Sequence, residues 1–434
     1  MDRKSPSQPK IKRKTPLTRG STGSLVVGGI AIIAVAVAVI AFMRFPRTFN
    51  VDIIGDNATS TGMGGGNPSV QQSGSGILAA VGTYANPAMP LPGIDHASYD
   101  AKILALAHIP PAPPVIVTST RTATGTFSSG TLKTAATNIS AESTEEYPPF
   151  AMAPPRSQIM SLWPVPITKA PYPNAGALLP FNRIVAYYGN LYSKQMGVLG
   201  QYPEPQMLAM LASTTAMWQA ADTSTHVIPA LDYIAVTAQG SAGTDGKYRA
   251  RMPADQIDEV LRMAEQINGI VVLDVQVGLS NAETEVPLLE PYLKLPQVEL
   301  ALDPEFAMHN GARPGTVIGT MDASDINWTA NYLANLVDQY HLPPKILIVH
   351  RFTQDMVTHT ADITPLPEVQ LVMDMDGFGS EMKKLNTYYS VIEPEPVEFT
   401  GFKLFYKNDT DAGHLMTPQD VLRLSPQPSF IQYQ

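Results

Sequence analysis

From residue 183 onward the chain repeats one rhythm, a short uninterrupted apolar run followed by a longer amphipathic stretch. The runs are Ile184–Tyr188, Val227–Val236, Ile270–Val275, Val298–Leu302, Ile346–His350, Val369–Met373 and Phe402–Tyr406. Most do not alternate apolar with polar residues, which is the pattern of a strand covered on both faces. Between them the spacing predicts helices over Pro205–Ala221, Asp255–Ile267, Ser324–Tyr340 and Ser380–Val391. In the second, Ile257, Val260, Leu261, Ala264 and Ile267 share one stripe, and Asp258, Glu259, Arg262 and Glu265 take the other face. Asp322 or Ser324 caps the third helix, and Thr417-Pro418-Gln419-Asp420 reads as a capping box opening the last. Strands alternating with helices imply parallel pairing through right-handed crossovers. The expected fold is therefore α/β, a (β/α)8 TIM-barrel-like domain over residues 176–434, with a poorly marked strand near Val317–Thr320. An open doubly wound sheet is the alternative, but Tyr188-Gly189-Asn190 is no dinucleotide-binding turn.

The first part of the chain has a different texture. Leu25–Met43 (LVVGGIAIIAVAVAVIAFM) carries no charge, and at ~1.5 Å per residue it nearly matches a ~30 Å hydrocarbon layer. Seven Lys and Arg residues precede it and only Arg44 and Arg47 follow closely, so the positive-inside bias keeps the N-terminus cytoplasmic. The expectation is a basic cytoplasmic tail at 1–24 and one transmembrane helix at 25–43 in the cell membrane, with everything beyond it extracytoplasmic. A cleaved signal peptide is the competing reading; the run is longer than a usual signal core and ends in Phe42-Met43-Arg44 rather than a small-x-small site. Residues 44–175, rich in Gly, Ser, Thr and Pro, read as a mostly disordered linker, since such segments bury too little apolar surface to offset the entropy of ordering. Within it, Tyr99–His108 (YDAKILALAH) has helical character.

Composition narrows the function classes. The 434 residues carry a net charge of -9, and the one dense group of basic residues lies at the extreme N-terminus, so nucleic acid is not an expected partner. The sequence contains no cysteine, which removes disulfides, thiolate nucleophiles and cysteine-held zinc. No cofactor fingerprint is present: the glycines at Gly62–Gly66 and Gly74–Gly76 follow no strand.

The chemistry is concentrated at the C-terminal ends of the apolar runs, where a parallel barrel builds its site from strand-to-helix loops. In chain order these ends offer Tyr187 and Tyr188, Asp232, Asp274 with Gln276, Asp303 with Glu305, His350, Asp374 with Asp376, and Lys403. Asp303 and Glu305 are two apart, as are Asp374 and Asp376, so each pair projects to one side of extended chain. Two carboxyl groups facing across a cleft are what glycoside hydrolysis needs, one protonating the leaving oxygen and the other attacking or activating water. On that reading Glu305 is the acid and Asp274 or Asp374 the opposing carboxylate. Tyr187, Tyr188, Asp232, Gln276, Asp303, His350, Asp376 and Lys403 would line the substrate site, and Trp328 would stack on a sugar face. Any one of these acids also suits a helix N-cap. Oxygen and nitrogen ligands for a metal-dependent phosphodiesterase are present too, but no HExxH or other diagnostic spacing is, and no metal site is assigned.

The segments LALDPEF, PGTVIGTMDASDIN, ILIVHRF, DGFG and GFKLFY, with the terminal FIQYQ, resemble a family of membrane-anchored or exported bacterial proteins, largely uncharacterised, whose barrel domain looks like that of glycosidases. The resemblance spans residues 183–434 and leaves the linker uncovered. It implies an extracytoplasmic barrel and carries no reaction to particular residues. The expected function is a surface-tethered barrel that acts on a carbohydrate or cell-envelope polymer as a glycoside hydrolase-like enzyme; the alternative is a barrel that binds envelope material or a partner protein without turnover.

Overall fold

A computed structural model describes residues 91–107 and 170–434. The segment 25–43 and most of the 44–175 stretch lie outside the described residues. Among the described residues no helix is long and apolar enough to cross a membrane.

Eight parallel strands form the core: β1 (Asn182–Gly189), β2 (His226–Ala238), β3 (Ile270–Val275), β4 (Val298–Leu302), β5 (Lys345–Arg351), β6 (Val369–Met375), β7 (Phe399–Leu404) and β8 (Phe430–Tyr433). Each pairs with its sequence neighbour, and β8 pairs with β1 through Ile184↔Phe430 to Tyr187↔Tyr433, so the sheet closes on itself. The closure excludes the open doubly wound sheet. An antiparallel Arg249–Arg251 strand extends the far end of β2. The major helices are α1 (His96–Leu106), α2 (Glu204–Ala221), α3 (Ala254–Gln266), α4 (Ala323–Tyr340) and α5 (Glu381–Thr387), the last continued by one π-helical turn, Tyr388–Ile392. The Asp322 side chain caps α4 in a reciprocal capping box with Asp325. Thr417 and Asp420 do the same for the single turn Pro418–Val421.

The eighth strand is not where the sequence reading put it. Val317–Thr320 is irregular, and only Met321–Asp322 beside it pairs, in a two-stranded parallel ribbon with Val357–Thr358 that ties the loop after β4 to the loop after β5. The true β8 is Phe430–Tyr433. Its four residues are flanked by Pro426 and Pro428 and broken by Gln432, so it presents no apolar run long enough to stand out. In the same way β7 begins three residues earlier than its apolar run, and Tyr406 falls beyond its end.

Side-chain parity divides the molecule into two cores. Outward positions such as Leu231, Leu273, Leu300 and Leu347 join α2, α3 and α4 in one large cluster. Inward positions near the strand starts, among them Ile184, Ile228, Ile270, Ile346, Phe399 and Phe430, form the barrel floor. Tyr99, Ile103 and Leu106 of α1 belong to that same floor, together with Leu178 and Leu179. Helix α1, which falls inside the stretch read as linker, is therefore part of the barrel's hydrophobic interior. Gln427 N donates to Leu106 O at 2.7 Å, and the Gln370 amide bonds Leu178 N, Leu179 N and Leu179 O, pinning the floor to the entering chain.

Candidate functional site

The inward positions at the other end of the strands are polar on nearly every strand. Tyr188 (β1), Asp232 (β2), Asp274 and, just beyond it, Gln276 (β3), Asp303 (β4), His350 (β5), Asp374 and Asp376 (β6), Lys403 (β7) and Gln432 (β8) share the parity of the floor residues two or four positions earlier. A period of two carries each strand from an apolar floor to a polar mouth, and closure of the barrel turns separate strand ends into one ring.

His350 is the hub. Its Nδ1 lies 3.0 Å from Asp374 Oδ2 in a hydrogen bond, and its Nε2 lies 3.3 Å from Asp274 Oδ2, an ion-pair distance outside hydrogen-bond angles. On the other side of the ring, the Lys403 ammonium is 3.1 Å from Asp376 Oδ1 and 3.9 Å from the centre of the Tyr188 ring, a cation–π contact. Gln276 Nε2 donates both to Tyr188 Oη at 3.1 Å and to Asp303 Oδ2 at 3.2 Å, while its Oε1 accepts from Ala238 N. Gln432 Nε2 donates to Asp232 Oδ2 at 2.5 Å. Gly401, opposite Asp374 in the β6–β7 register, makes room: a Cβ there would stand 3.1 Å from Asp374 Cγ and collide with its Oδ1.

Electrostatics follow from crowding. Five carboxyl groups face two basic side chains in a space that solvent scarcely reaches, with Asp232, Asp274, His350 and Asp374 all at 0% exposure. Ionising every carboxyl would leave three uncompensated negative charges in a poorly polarisable interior, so protons are retained. Burial, reinforced by Asp274, pushes the Asp232 carboxyl up to about 8. Burial, with Asp274 and Glu305, pushes Asp303 well above the carboxylate range, and burial raises Asp374 against the opposing pull of His350. Burial works against a charged imidazole at His350, but Asp274 and Asp374 outweigh it and hold the ring well above its ordinary value. Lys403 likewise stays a cation, since Asp376, Asp303 and Asp374 overcome its desolvation.

The arrangement can hold protons on carboxyl groups at neutral pH and donate them. Glu305 sits in the short turn Pro304–Phe306 directly after β4, half-buried at the edge of this ring, and its charge bears on Asp303. Asp274 and Asp374 grip His350 beneath the rim. Among the described residues no group of three His, Asp or Glu side chains stands ready to hold a metal ion.

Two residues named from the sequence lie elsewhere. Tyr187 has the opposite parity to Tyr188 and points out of the barrel under α2, its hydroxyl bonded to Thr214 Oγ1 at 2.8 Å and Tyr406 Oη at 2.9 Å; it packs the wall and does not line the ring expected to hold substrate. Trp328 lies on α4 outside the strand ring, its indole stacked on Tyr332 at 5.5 Å between ring centres. Gln432 is not legible as a site residue in the sequence because β8 is too short to stand out; the lone polar residue inside FIQY is its one signal. A buried pair behind the ring also lacked a signature: Lys384 Nζ, 3.0 Å from Asp409 Oδ2, donates to Gly377 O and Lys403 O and so fixes the ends of β6 and β7.

No family model matches the chain, and no curated protein does. Among solved structures the chain is similar to the cellulase Cel5C_n, with 12% identity over 58% of this chain and 75% of that one and a TM-score of 0.35. It is also similar to a ruminal GH26 endo-beta-1,4-mannanase (11% identity, 59% and 60% covered, TM-score 0.29) and to an uncharacterised B. cereus protein (8%, 58% and 60%, 0.26). Likenesses this loose carry nothing about reaction or ligand, and the barrel rests on its own strand pairing.

Proposed function

We propose that the domain is a glycoside hydrolase-like barrel, tethered to the cell membrane through residues 25–43 with its mouth extracytoplasmic, that acts on a carbohydrate or cell-envelope polymer. One observation carries the reading: five carboxyl groups, an imidazole and an ammonium converge on inward positions at the C-terminal ends of the strands, the face where barrel enzymes keep their chemistry. In this reading Glu305, the most accessible carboxyl at the ring's edge, protonates the leaving oxygen. Asp274 or Asp374 supplies the opposing carboxylate, and Tyr188 with Lys403 forms the wall on which the ring is oriented.

The second reading, a barrel that binds a glycan or partner without turnover, is favoured by the closure of the ring, since solvent does not reach Asp274 or Asp374. A glycan panel incubated with the full-length protein, with product detection, separates the two. Hydrolysis predicts release of reducing ends and, for Glu305→Gln, a loss of rate of about 100-fold or more with binding retained. A bound oligosaccharide that is never cleaved leaves the binding module in possession.

A further inference from the structure

The ring around His350 has an imbalance that its protein neighbours do not relieve. Asp232 Oδ1, Asp274 Oδ1, Asp303 Oδ1, Asp374 Oδ1 and Gln432 Oε1 are buried oxygens with no hydrogen-bond partner in the protein. All belong to side chains at least nine-tenths buried, and all project from inward strand positions into the same space. Most donors are already engaged, the Gln276 and Gln432 amides on Asp303, Tyr188 and Asp232, Lys403 on Asp376, and His350 Nδ1 on Asp374, while His350 Nε2 stands 3.3 Å from Asp274 Oδ2 without a hydrogen bond. What remains is a surplus of carboxyl oxygens over donors, on side chains that keep protons because burial denies them enough counter-charge. A buried acceptor without a donor is costly, so the surplus selects a ligand that brings donors.

The spread of these atoms decides which donor. They sit at the ends of five strands, and no three acidic or imidazole groups among the described residues are close enough to enclose one metal ion. A sugar presents several donors at once. Charge chooses among sugars: with five carboxyls against two bases, an ammonium that takes the place of the retained protons is favoured over a hydroxyl, and an acetylated amine would remove the charge and turn a carbonyl toward acceptors.

We infer that the barrel mouth recognises a glycan bearing free amino groups, a de-N-acetylated amino sugar, with the ammonium seated among Asp232, Asp274 and Asp303. This rests on the carbohydrate reading above and names its substrate class. The ring is closed to solvent in this conformation, so binding includes a parting of the loops above it.

The test is calorimetric titration of the full-length protein in detergent micelles, at a pH near 6, with a glucosamine tetramer, its fully N-acetylated counterpart and cellotetraose. The glucosamine tetramer is expected to bind about tenfold or more tightly than either of the others. Asp232→Asn, which cannot ionise to pair with an arriving ammonium, is expected to erase most of that preference. Equal affinities for the three oligomers overturn the inference, as does a preference that survives in Asp232→Asn. The comparison between free and acetylated amines needs no variant and stands even if Asp232→Asn does not fold. A preference for the amine with no cleavage of any glycan would remove the hydrolase reading and keep this one; cleavage of neutral glycans without an amine preference would do the reverse.

Discussion

His350 and Asp374 are direct register partners on β5 and β6, and their side chains meet inside the barrel with Nδ1 3.0 Å from Oδ2. The pair is fully buried, and Asp274 completes it from the opposite side at 3.3 Å. Removing the imidazole would leave two carboxyls facing one another without a cation. His350→Leu is therefore expected to lower stability by about 3–5 kcal/mol, the usual cost of breaking a buried ion pair from one side. Adding Asp374→Asn should recover part of the loss. Urea denaturation of the two variants and the double variant measures it; losses that simply add would mean that the two side chains are not coupled.

Gly401 makes the same pocket possible by having no side chain. A Cβ at that position would meet the Asp374 carboxyl, whose Cγ is 3.1 Å from the ideal site and whose neighbours are fully packed. Gly401→Ala should cost about 1–3 kcal/mol, the range for overpacking a tight core. A thermal melt indistinguishable from the parent would show that the carboxyl has room to move.

Stability should fall as the solution becomes alkaline. Folded-state values are raised for Asp232 and Glu398, each to about 8 from ordinary carboxyl values, because burial favours the protonated form. Between about pH 4 and 8 the folded state then binds more protons than the unfolded chain, so stability declines with rising pH. His350 acts in the same sense: its raised value contributes stability that is complete below about 6.5, the unfolded value, and is lost as pH climbs through the folded one. Two groups oppose the trend outside this window. Asp222, held at about 2 by Ser224, Thr225 and Arg183 against burial, gives stability that disappears as pH falls below about 4. Lys345, lowered to about 8 by burial, favours folding as pH rises from about 8 to 10.5. The denaturation midpoint should peak near pH 4 and fall steadily above it; a maximum at pH 8 would contradict the protonated ring.

Helix α1 should behave as part of the barrel. Ile103 is fully buried in the floor beside inward residues of the strands. Ile103→Ala is expected to cost about 2–5 kcal/mol by the usual cavity arithmetic. Hydrogen exchange should show α1 protected to nearly the same degree as β1 and β8. A neutral substitution with fast-exchanging α1 amides would return the helix to the linker.

The pattern along the chain is enough to set the class of the fold and the location of its polar end. Unbroken apolar runs separated by amphipathic segments can be buried only as parallel strands under helices, and the period of two along a strand makes Asp274, His350 and Asp374 inward residues once their floor partners are inward. That is local information, encoded within a few residues of each side chain. Which residues meet depends on contacts between segments far apart in the chain. The short β8, and Gln432 with it, is stabilised by the neighbours β7 and β1 rather than by its own four residues. Tyr187 and Tyr188 are adjacent in sequence yet lie on opposite sides of the barrel wall, and which one faces the ring depends on register with β2 and β8. The His350 clamp draws its two carboxyls from strands that are distant in sequence, and closure brings them together; the raised carboxyl values are products of that shared burial and exist in no single segment of the chain.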